Sequence, residues 1–423
     1  MTDGLEGRIV SHDVGGRGFN VELKYPQHFR DDVVHVLFEA DQACAAEMAR
    51  TNDRPGFLVA PYGLGAVDGP ATLHVTANPY FSSLLEPDPA FAALSCEVPL
   101  SGSIDGVPVE GTRYDALYGA EMRVVRRIPV EIRTLDGLRA AGALPIPAPP
   151  DFLSIDTQGT EFEVMEGALA TIDAGVLALT CEVEFRSMYL GQRLFPDLFR
   201  LALAHGFEFV DFTHLQAVAP TRLPVGVRGR EPLAFGDALF FKSIASLRAI
   251  APTPDALQLM ALKLAFIAIC YRQLGIALAA LEEAFARPMS EALSGALAGR
   301  RYFEFLSALH EAAARAPRAL LHDDRQAVVA ELRSPPTQVR GADAADMAAS
   351  GVETLLVEHG FHELAGVVRG RRNEARDSRP GRVRRRSAPP AALAFDRAVR
   401  LLRRAVPPRL YAMLRNLYHA VRR

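Results

Sequence analysis

Short apolar runs alternate with amphipathic helical patterns over residues 8–243, and this alternation stops after Lys242. The apolar runs predict strands at Ile9–His12, Val34–Phe38, Gly56–Val59, Phe152–Ile155, Val176–Val183, Glu208–Asp211 and Ala238–Lys242. Strands and helices that alternate in this way are typical of a doubly wound α/β sheet. Between the third and fourth strands, hairpin patterns at Ala71–Val75 and Arg123–Ile132 predict an insert that could cover a substrate.

Helical periodicity rich in alanine and leucine dominates from Asp255 to Gly370. It predicts helices at Leu257–Phe285, Met289–Arg315, Arg318–Leu332 and Ala342–Gly360. The first helix is apolar enough to raise the question of a membrane span. However, Lys263 and Arg272 interrupt it, and a charge near a bilayer centre costs several kcal/mol. We therefore expect a buried helix in a soluble helical region.

The net charge of −3 is distributed unevenly along the 423 residues. Residues 371–423 hold sixteen arginines and three acidic residues, a local charge of +13, which leaves −16 for residues 1–370. We expect four segments: an α/β domain over 1–243, a helical region over 244–370, a linker rich in arginine, proline and serine over 371–390, and a basic amphipathic helical tail over 391–423.

The basic tail predicts contact with an anionic membrane surface or a partner, because its apolar residues recur at helical spacing while its arginines lie largely on other faces. A helix docked on the domain, or a disordered end, explains the same pattern. Nucleic acid is not expected, since the tail holds few aromatic residues and no RNA-binding motif occurs. The four cysteines are widely separated and no secretory signal is evident, which predicts a cytoplasmic protein, peripheral at the inner membrane surface.

Acidic residues stand at the ends of three predicted strands. Glu39 ends the second strand, Asp156 follows the fourth, and Glu182 and Glu184 end the fifth. Ligands of an open parallel sheet bind outside the carboxyl ends of its strands, so we expect these carboxylates to face one crevice. The turn Asp13-Val14-Gly15-Gly16-Arg17-Gly18 follows the first strand, and its glycines allow a ligand to approach the backbone closely.

The segment Asp151-Phe152-Leu153-Ser154-Ile155-Asp156-Thr157-Gln158-Gly159-Thr160-Glu161 resembles the hallmark of the FkbM family of S-adenosylmethionine-dependent methyltransferases, roughly Asp-Phe-Leu-Lys-Ile-Asp-Val-Gln-Gly-x-Glu. Ser154 stands in place of the usual lysine, and Arg17 stands where family members carry asparagine. The glycine-rich turn and residues 36–41, 59–65, 82–84 and 130–136 resemble other parts of the family in the expected order. The resemblance covers about residues 8–243. It implies a class I methyltransferase (Rossmann-like) sheet with a β-hairpin insert, and an all-α C-terminal region follows.

The resemblance also implies S-adenosylmethionine as the cofactor. The residues expected to bind this methyl donor are Asp13, Gly15, Gly16, Gly18, Glu39 and Gly63. A carboxylate such as Glu39 can accept hydrogen bonds from both ribose hydroxyls. A turn-capping role is the structural alternative for Asp13.

Methyl transfer to oxygen gains from a general base, because an alcohol is a very weak acid. The candidate catalytic residues are Asp156, Glu182 and Glu184, and the candidate acceptor-binding residues are Gln158, Glu161 and Ser83. Glu161 is equally explained as a first-turn acid favoured by the helix dipole, and Glu182 and Glu184 as a solvated strand end. His205 is a further candidate base, although a capping role at a helix end is favoured.

A metal is conceivable, given Asp156, Glu182 and Glu184, but none is predicted because the sequence lacks histidine or cysteine residues at ligand spacing. The resulting hypothesis is an O-methyltransferase that acts on a hydroxyl-bearing acceptor such as a glycan, a glycolipid or a secondary metabolite. The alternative is a scaffold or binding protein that retains a methyltransferase fold without catalysis. The sequence does not identify the acceptor.

Overall fold

The computed structural model describes residues 7–15, 21–100, 103–104, 107–108, 112–221, 231–315 and 351–377. Residues 1–368 form one compact unit. A second unit begins at Arg369, and the described part of it continues the helix His362–Asp377. This helix includes the first residues of the predicted linker. The rest of the linker, the predicted tail and the predicted helix Arg318–Leu332 lie outside the described residues.

A seven-stranded sheet forms the centre of the first unit. Its strands are β1 (Ile9–Val14), β2 (Val33–Phe38), β3 (Phe57–Ala60), β11 (Phe152–Ile155), β12 (Ala178–Glu184), β13 (Phe207–Ala217) and β14 (Leu233–Lys242), in the spatial order β13-β14-β12-β11-β1-β2-β3. The strands from β12 to β3 are parallel, and β14 runs antiparallel to both of its neighbours. The predicted α/β sheet is thus confirmed. Strands β13 and β14 are longer than predicted because they form an antiparallel hairpin that extends beyond the buried core.

The insert between β3 and β11 contains the predicted hairpin. Strands β5 (Gly69–Thr76) and β10 (Val124–Arg133) pair in antiparallel fashion, and β4 (Gly63–Leu64) joins β10 at its end. The other strands of the insert are β6 (Ser95–Leu100), β7 (Ser103–Ile104), β8 (Val107–Pro108) and β9 (Thr112–Leu117). Leucine, valine and isoleucine side chains between β5 and β10 form a small core of their own, so the insert stands over the sheet as a separate layer.

Helices cover both faces of the sheet. Those between the strands are α1 (Gln42–Thr51), α2 (Pro89–Ala92), α3 (Tyr118–Glu121), α4 (Leu135–Ala140), α5 (Glu161–Glu166), α6 (Leu169–Gly175) and α7 (Phe195–Ala204). Helices α4 to α7 bury one face of the sheet in a core that includes Val36, Ile155 and Leu179.

The helices after β14 bury the opposite face. They are α8 (Ile244–Ile250), α9 (Pro254–Cys270), α10 (Leu274–Ala284), α11 (Glu291–Leu297) and α12 (Arg301–Ala314). The predicted helix Leu257–Phe285 is two helices, because Arg272 adopts a positive φ of 62° between α9 and α10. The predicted helix Met289–Arg315 is likewise divided, at Gly299 with a φ of 73°. Most of helix α9 is buried, and no helix among the described residues is long and apolar enough to span a bilayer.

Lys263 interrupts the apolar pattern of α9 because it forms a buried ion pair. Its Nζ lies 2.9 Å from Oδ2 and 3.1 Å from Oδ1 of Asp151, and the same Oδ2 accepts a hydrogen bond of 2.8 Å from the N–H of Val10. Burial raises the pKa of Asp151, and Lys263 opposes this shift. The pair therefore joins α9 to the strands β1 and β11.

Replacing Lys263 by methionine should lower the free energy of unfolding by about 3 kcal/mol, because Asp151 would remain buried without its partner. Urea denaturation measures this change. Arg50→Met is the matched control, since Arg50 and Glu47 form an exposed pair whose attraction is screened by solvent, so its loss should change the stability much less. Equal losses in the two variants would show that the Lys263–Asp151 pair has no special role.

His12 lies in the apolar core on the α4–α7 face. Its side chain is fully buried beside Phe38, and within the described part of the chain neither ring nitrogen has a hydrogen-bond partner. Burial lowers the pKa of His12 to about 4, against the opposing influence of Asp13. The imidazole is therefore neutral in the folded protein at neutral pH.

A lowered histidine pKa makes stability depend on pH below neutrality. The unfolded chain takes up a proton near pH 6.5, while the folded chain takes it up only near pH 4, so the contribution is complete above pH 6.5 and is lost as the pH falls to 4. Between about pH 7 and pH 4 the wild type should lose on the order of 3 kcal/mol more stability than His12→Leu. Denaturation curves at several pH values test this, and parallel curves for the two proteins would contradict it.

Candidate active site

A cleft opens at the carboxyl ends of β1, β2 and β11, beneath the insert. Its walls combine strand ends (Val14, Gly15, Phe38, Glu39, Asp156), the following loop (Thr157, Gln158, Thr160) and the insert side (Ala40, Tyr62, Gly63, Leu64, Leu73, Pro79, Tyr80, Ser82, Leu84, Ile132). The cleft therefore lies where the topology of a doubly wound sheet places a ligand.

Gly15 allows the strand ends to meet. Its φ is +87°, and a Cβ atom on it would lie 1.8 Å from the carbonyl oxygen of Asp156. Its N–H donates to the carbonyl oxygen of Phe38 at 3.2 Å, so Gly15 connects β1 to the ends of both neighbouring strands. The predicted donor residues Gly16 and Gly18 lie outside the described residues. Gly63 lines the cleft, and a Cβ there would lie 2.6 Å from Ile132 of the insert.

Glu39 lines the cleft at the end of β2. Its Oε1 accepts a hydrogen bond of 2.8 Å from the N–H of Asp41. Asp41 in turn caps α1 by accepting from the N–H groups of Ala43 and Cys44. The first turn of α1 therefore fixes the direction of the Glu39 carboxylate, as a residue that recognises a ligand requires.

Asp13 is buried in β1 and does not line the cleft. Its carboxylate accepts from the Ser11 hydroxyl at 2.9 Å and from the N–H of Glu22 at 3.0 Å, and it lies 3.1 Å from Nδ1 of His35. The other ring nitrogen of His35 lies 3.0 Å from the Tyr25 hydroxyl. Asp13 thus holds the chain that follows the glycine-rich turn, close to the capping role considered from the sequence. No sequence motif indicated a role for His35 or Tyr25.

Asp156, Gln158 and Glu182 are brought together. The Gln158 Nε2 donates to Oδ1 of Asp156 at 2.7 Å and to Oε2 of Glu182 at 2.6 Å. The Tyr189 hydroxyl donates to Oε1 of Gln158 at 3.2 Å. Gln158 holds this position with a φ of +59°, which is unfavourable for a residue with a side chain and marks a constrained site.

Glu161 closes the loop after β11. Its Oε1 accepts from the N–H of Thr157 at 2.7 Å and from that of Gly159 at 3.0 Å, and its Oε2 accepts from the Gly159 N–H at 2.9 Å. Ser83, also predicted to bind the acceptor, is buried in the insert, where its hydroxyl accepts from the N–H of Leu85, while its neighbours Ser82 and Leu84 line the cleft.

Glu184 lies behind the cleft, at the end of β12. Its side chain is buried, and a small second cavity is lined by Glu161, Glu182, Glu184 and Arg193 together with apolar residues. The Arg193 guanidinium lies over the ring of Phe162, 5.1 Å from its centroid. His205 is the C-cap of α7, with Nδ1 2.9 Å from Asp173, and does not line the cleft.

The carboxyl groups of this region hold their protons more tightly than ordinary carboxyls. Burial raises the pKa of Glu161 to about 7, and it raises the pKa values of Glu182 and Glu184 well above the usual range, with added repulsion among the group. Asp156 is exposed to the cleft, but the protein atoms around its carboxylate limit hydration and raise its pKa as well. Asp237, opposite Glu182 in the β12–β14 register, has a pKa raised by burial to about 6.

A ligand in this cleft would contact two different walls. Gly15, Gly63 and Glu39 form a wall where backbone is accessible and one carboxylate is held in a fixed direction. Asp156 and Gln158 form the other wall, where a carboxylate can accept a proton or a hydrogen bond. Thr157, Thr160, Tyr62 and Tyr80 also line the cleft. The sequence analysis assigned no role to them, and the insert brings Tyr62 and Tyr80 there through tertiary contacts.

Comparison with known proteins finds a family model that covers most of the residues lining the cleft. Residues 13–209 match the model of the methyltransferase FkbM domain. The crystal structure of the methyltransferase FkbM from Methylobacillus flagellatus KT shares 14% sequence identity with the chain at a TM-score of 0.26, over 56% of this chain and 44% of that one. The chain thus spans less than half the length of that structure. A search of curated proteins finds no match.

Proposed function

We propose that the chain transfers a methyl group from S-adenosylmethionine to a hydroxyl oxygen of a glycan, a glycolipid or a secondary metabolite. The observation that carries this proposal is the meeting of Gly15, Glu39 and Asp156 in one cleft, at the ends of three adjacent strands. A glycine, a fixed carboxylate and an accessible carboxylate at these positions match the needs of a nucleoside donor and an alcohol acceptor.

The donor fits the side of the cleft formed by β1 and β2. A side chain at Gly15 or Gly63 would collide with neighbouring atoms, so both positions present backbone to the cleft. Glu39 would accept hydrogen bonds from the ribose hydroxyls, in a direction fixed by the N–H of Asp41. When bound, S-adenosylmethionine supplies an electrophilic methyl group.

The acceptor would lie beside Asp156. Asp156 is the accessible carboxylate on that side, so it would take the proton of the hydroxyl as its oxygen attacks. Gln158 would position Asp156 through the 2.7 Å hydrogen bond, while its own amide is oriented by Tyr189. Transfer requires the oxygen to approach the methyl carbon in line with the bond that breaks, and fixed walls on both sides favour that alignment.

The charge of the cleft favours an acceptor that is not anionic near the reacting hydroxyl. Its described lining contains the carboxylates of Glu39 and Asp156 and no lysine or arginine. A phosphate or carboxylate beside the methylated position would meet like charge. Tyr80, which is 69% exposed at the rim of the insert, offers a ring surface on which a sugar or a flat metabolite can pack.

The match to a methyltransferase family does not favour the alternative of a scaffold that retains the fold without catalysis. The arrangement at Asp156 argues in the same direction. A scaffold has no need for Gln158 in an unfavourable backbone conformation, held between two carboxylates. Contact of the basic tail with an anionic membrane remains a separate proposal.

Glu39→Gln should weaken binding of S-adenosylmethionine at least tenfold, which corresponds to about 1.5–3 kcal/mol for hydrogen bonds to a charged acceptor. The amide oxygen can still accept from the Asp41 N–H, so the thermal unfolding temperature should not change. Calorimetric titration of the full-length protein measures the affinity. Glu47→Gln, on the exposed face of α1, is the control, and equal donor affinities for both variants would remove Glu39 from the donor site.

Asp156→Asn should bind the donor normally but transfer methyl groups about 100-fold more slowly, because the hydroxyl loses its proton acceptor. Transfer of a labelled methyl group to hydroxylated acceptors, found by screening with the wild type, provides the assay. Asp53→Asn, in an exposed loop, is the control. A variant that retains the wild-type rate would show that Asp156 takes no part in the chemistry.

A further inference from the structure

Negative charge accumulates behind the acceptor side of the cleft. Oxygen atoms of Asp156, Glu161 and Glu182 all lie within 4.8 Å of one another. In the part of the chain that the structure describes, no lysine or arginine forms an ion pair with these residues or with Glu184. The Gln158 amide donates to two of the carboxylates, and Asp156 and Glu182 are in hydrogen-bonding contact with each other, but neither interaction brings positive charge to the group.

Glu184 provides an independent observation. Its side chain is 2% exposed and interacts with the Gln192 side chain, but its Oε1 has no hydrogen-bond partner among the described residues. The second cavity, lined by Glu161, Glu182 and Glu184, has room for about one water-sized occupant. Arg193 also lines this cavity, but its guanidinium is stacked on Phe162. A buried oxygen without a partner is costly, so an occupant that binds Glu184 would stabilise the site.

We propose that Asp156, Glu161 and Glu182 bind one divalent cation, Mg²⁺ or Mn²⁺, and that Glu184 binds the same ion directly or through a water molecule. Carboxylate oxygens are the ligands that these hard cations prefer. The ion offsets the repulsion within the group and gives the Oε1 atom of Glu184 a partner. The N–H groups of Thr157 and Gly159 hold the Glu161 carboxylate in place, as groups behind metal ligands commonly do.

The proposed ion lies beside the acceptor side of the cleft, because Asp156 belongs both to the cleft wall and to the cation group. It could therefore contact an acceptor hydroxyl and favour its deprotonation. The binding site itself does not depend on the proposed methyl transfer. Cation binding can be measured without donor or acceptor, so failure of one proposal leaves the other open to its own test.

The test is titration of the metal-stripped, full-length protein with Mn²⁺, in which the electron paramagnetic resonance signal reports the free ion. We expect one saturable site per chain with a Kd below about 1 mM, from which Mg²⁺ displaces Mn²⁺. Asp156→Asn and Glu182→Gln should each weaken binding about 100-fold, and Glu184→Gln about tenfold. Glu163→Gln is the control, since Glu163 is an acidic residue of α5 outside the cation group, and its affinity should stay at the wild-type value.

The proposal is overturned if no saturable site is found, or if the site survives both Asp156→Asn and Glu182→Gln. The first result would leave a proton shared by Asp156 and Glu182, with a water molecule in the small cavity, as the explanation. Circular dichroism shows whether each variant folds. If one does not, the unfolding temperature of the wild type decides: Mn²⁺ should raise it above the value in KCl of equal ionic strength, and no rise contradicts the proposal.

Discussion

The close approach of Gly15 to the carbonyl of Asp156 is the constraint on which the cleft depends. With the Cβ position only 1.8 Å from that oxygen, any side chain at Gly15 would push β1 and β11 apart at their carboxyl ends. The same glycine donates its N–H to Phe38, immediately before Glu39. One residue without a side chain therefore sets the distance between the wall that contains Glu39 and the wall that contains Asp156, and the lining residues of the insert complete the cleft.

Carboxylates dominate the wall of the cleft that contains Asp156 and the region behind it, and hydrogen bonds from neutral groups fix their directions. Backbone N–H groups hold Glu161, and the Gln158 amide joins Asp156 to Glu182. These donors fix directions but do not neutralise charge, which is why burial and mutual repulsion raise the pKa values of the group. Such a wall favours the uptake of positive charge, and this property distinguishes it from a strand end that is simply solvated.

The sequence predicted the parts of the fold that depend on local pattern. The strand Phe152–Ile155 was predicted at its observed bounds, because its apolar run is short, buried on both faces and followed at once by Asp156. The grouping of Glu39 and Asp156 followed from the topology of parallel strands. The sequence did not predict the division between α9 and α10, because the apolar pattern continues across Arg272. Only the backbone conformation of Arg272 ends the helix. The roles of His35 and Tyr25 could not be predicted, because they arise from contacts between separate segments around Asp13.

The structural role of the helices after β14 is likewise evident only from their packing. In the described residues between β1 and β2, the one helical element is the short 3-10 helix Gln27–Asp32, which leaves the adjoining face of the sheet without an α-helix of its own. Phe29 of that segment packs against Phe266 of α9 at 5.0 Å and Phe305 of α12 at 5.8 Å between ring centroids. Ile9, Phe152 and Phe241 of the sheet belong to the same core.

Burial of this much apolar surface contributes on the order of 1.5–3 kcal/mol for each large side chain, so the helices supply the second layer that a doubly wound sheet requires. The strands whose ends form the cleft are thus held in register partly by residues that lie outside the family match, which makes the C-terminal helices part of the structural support of the site.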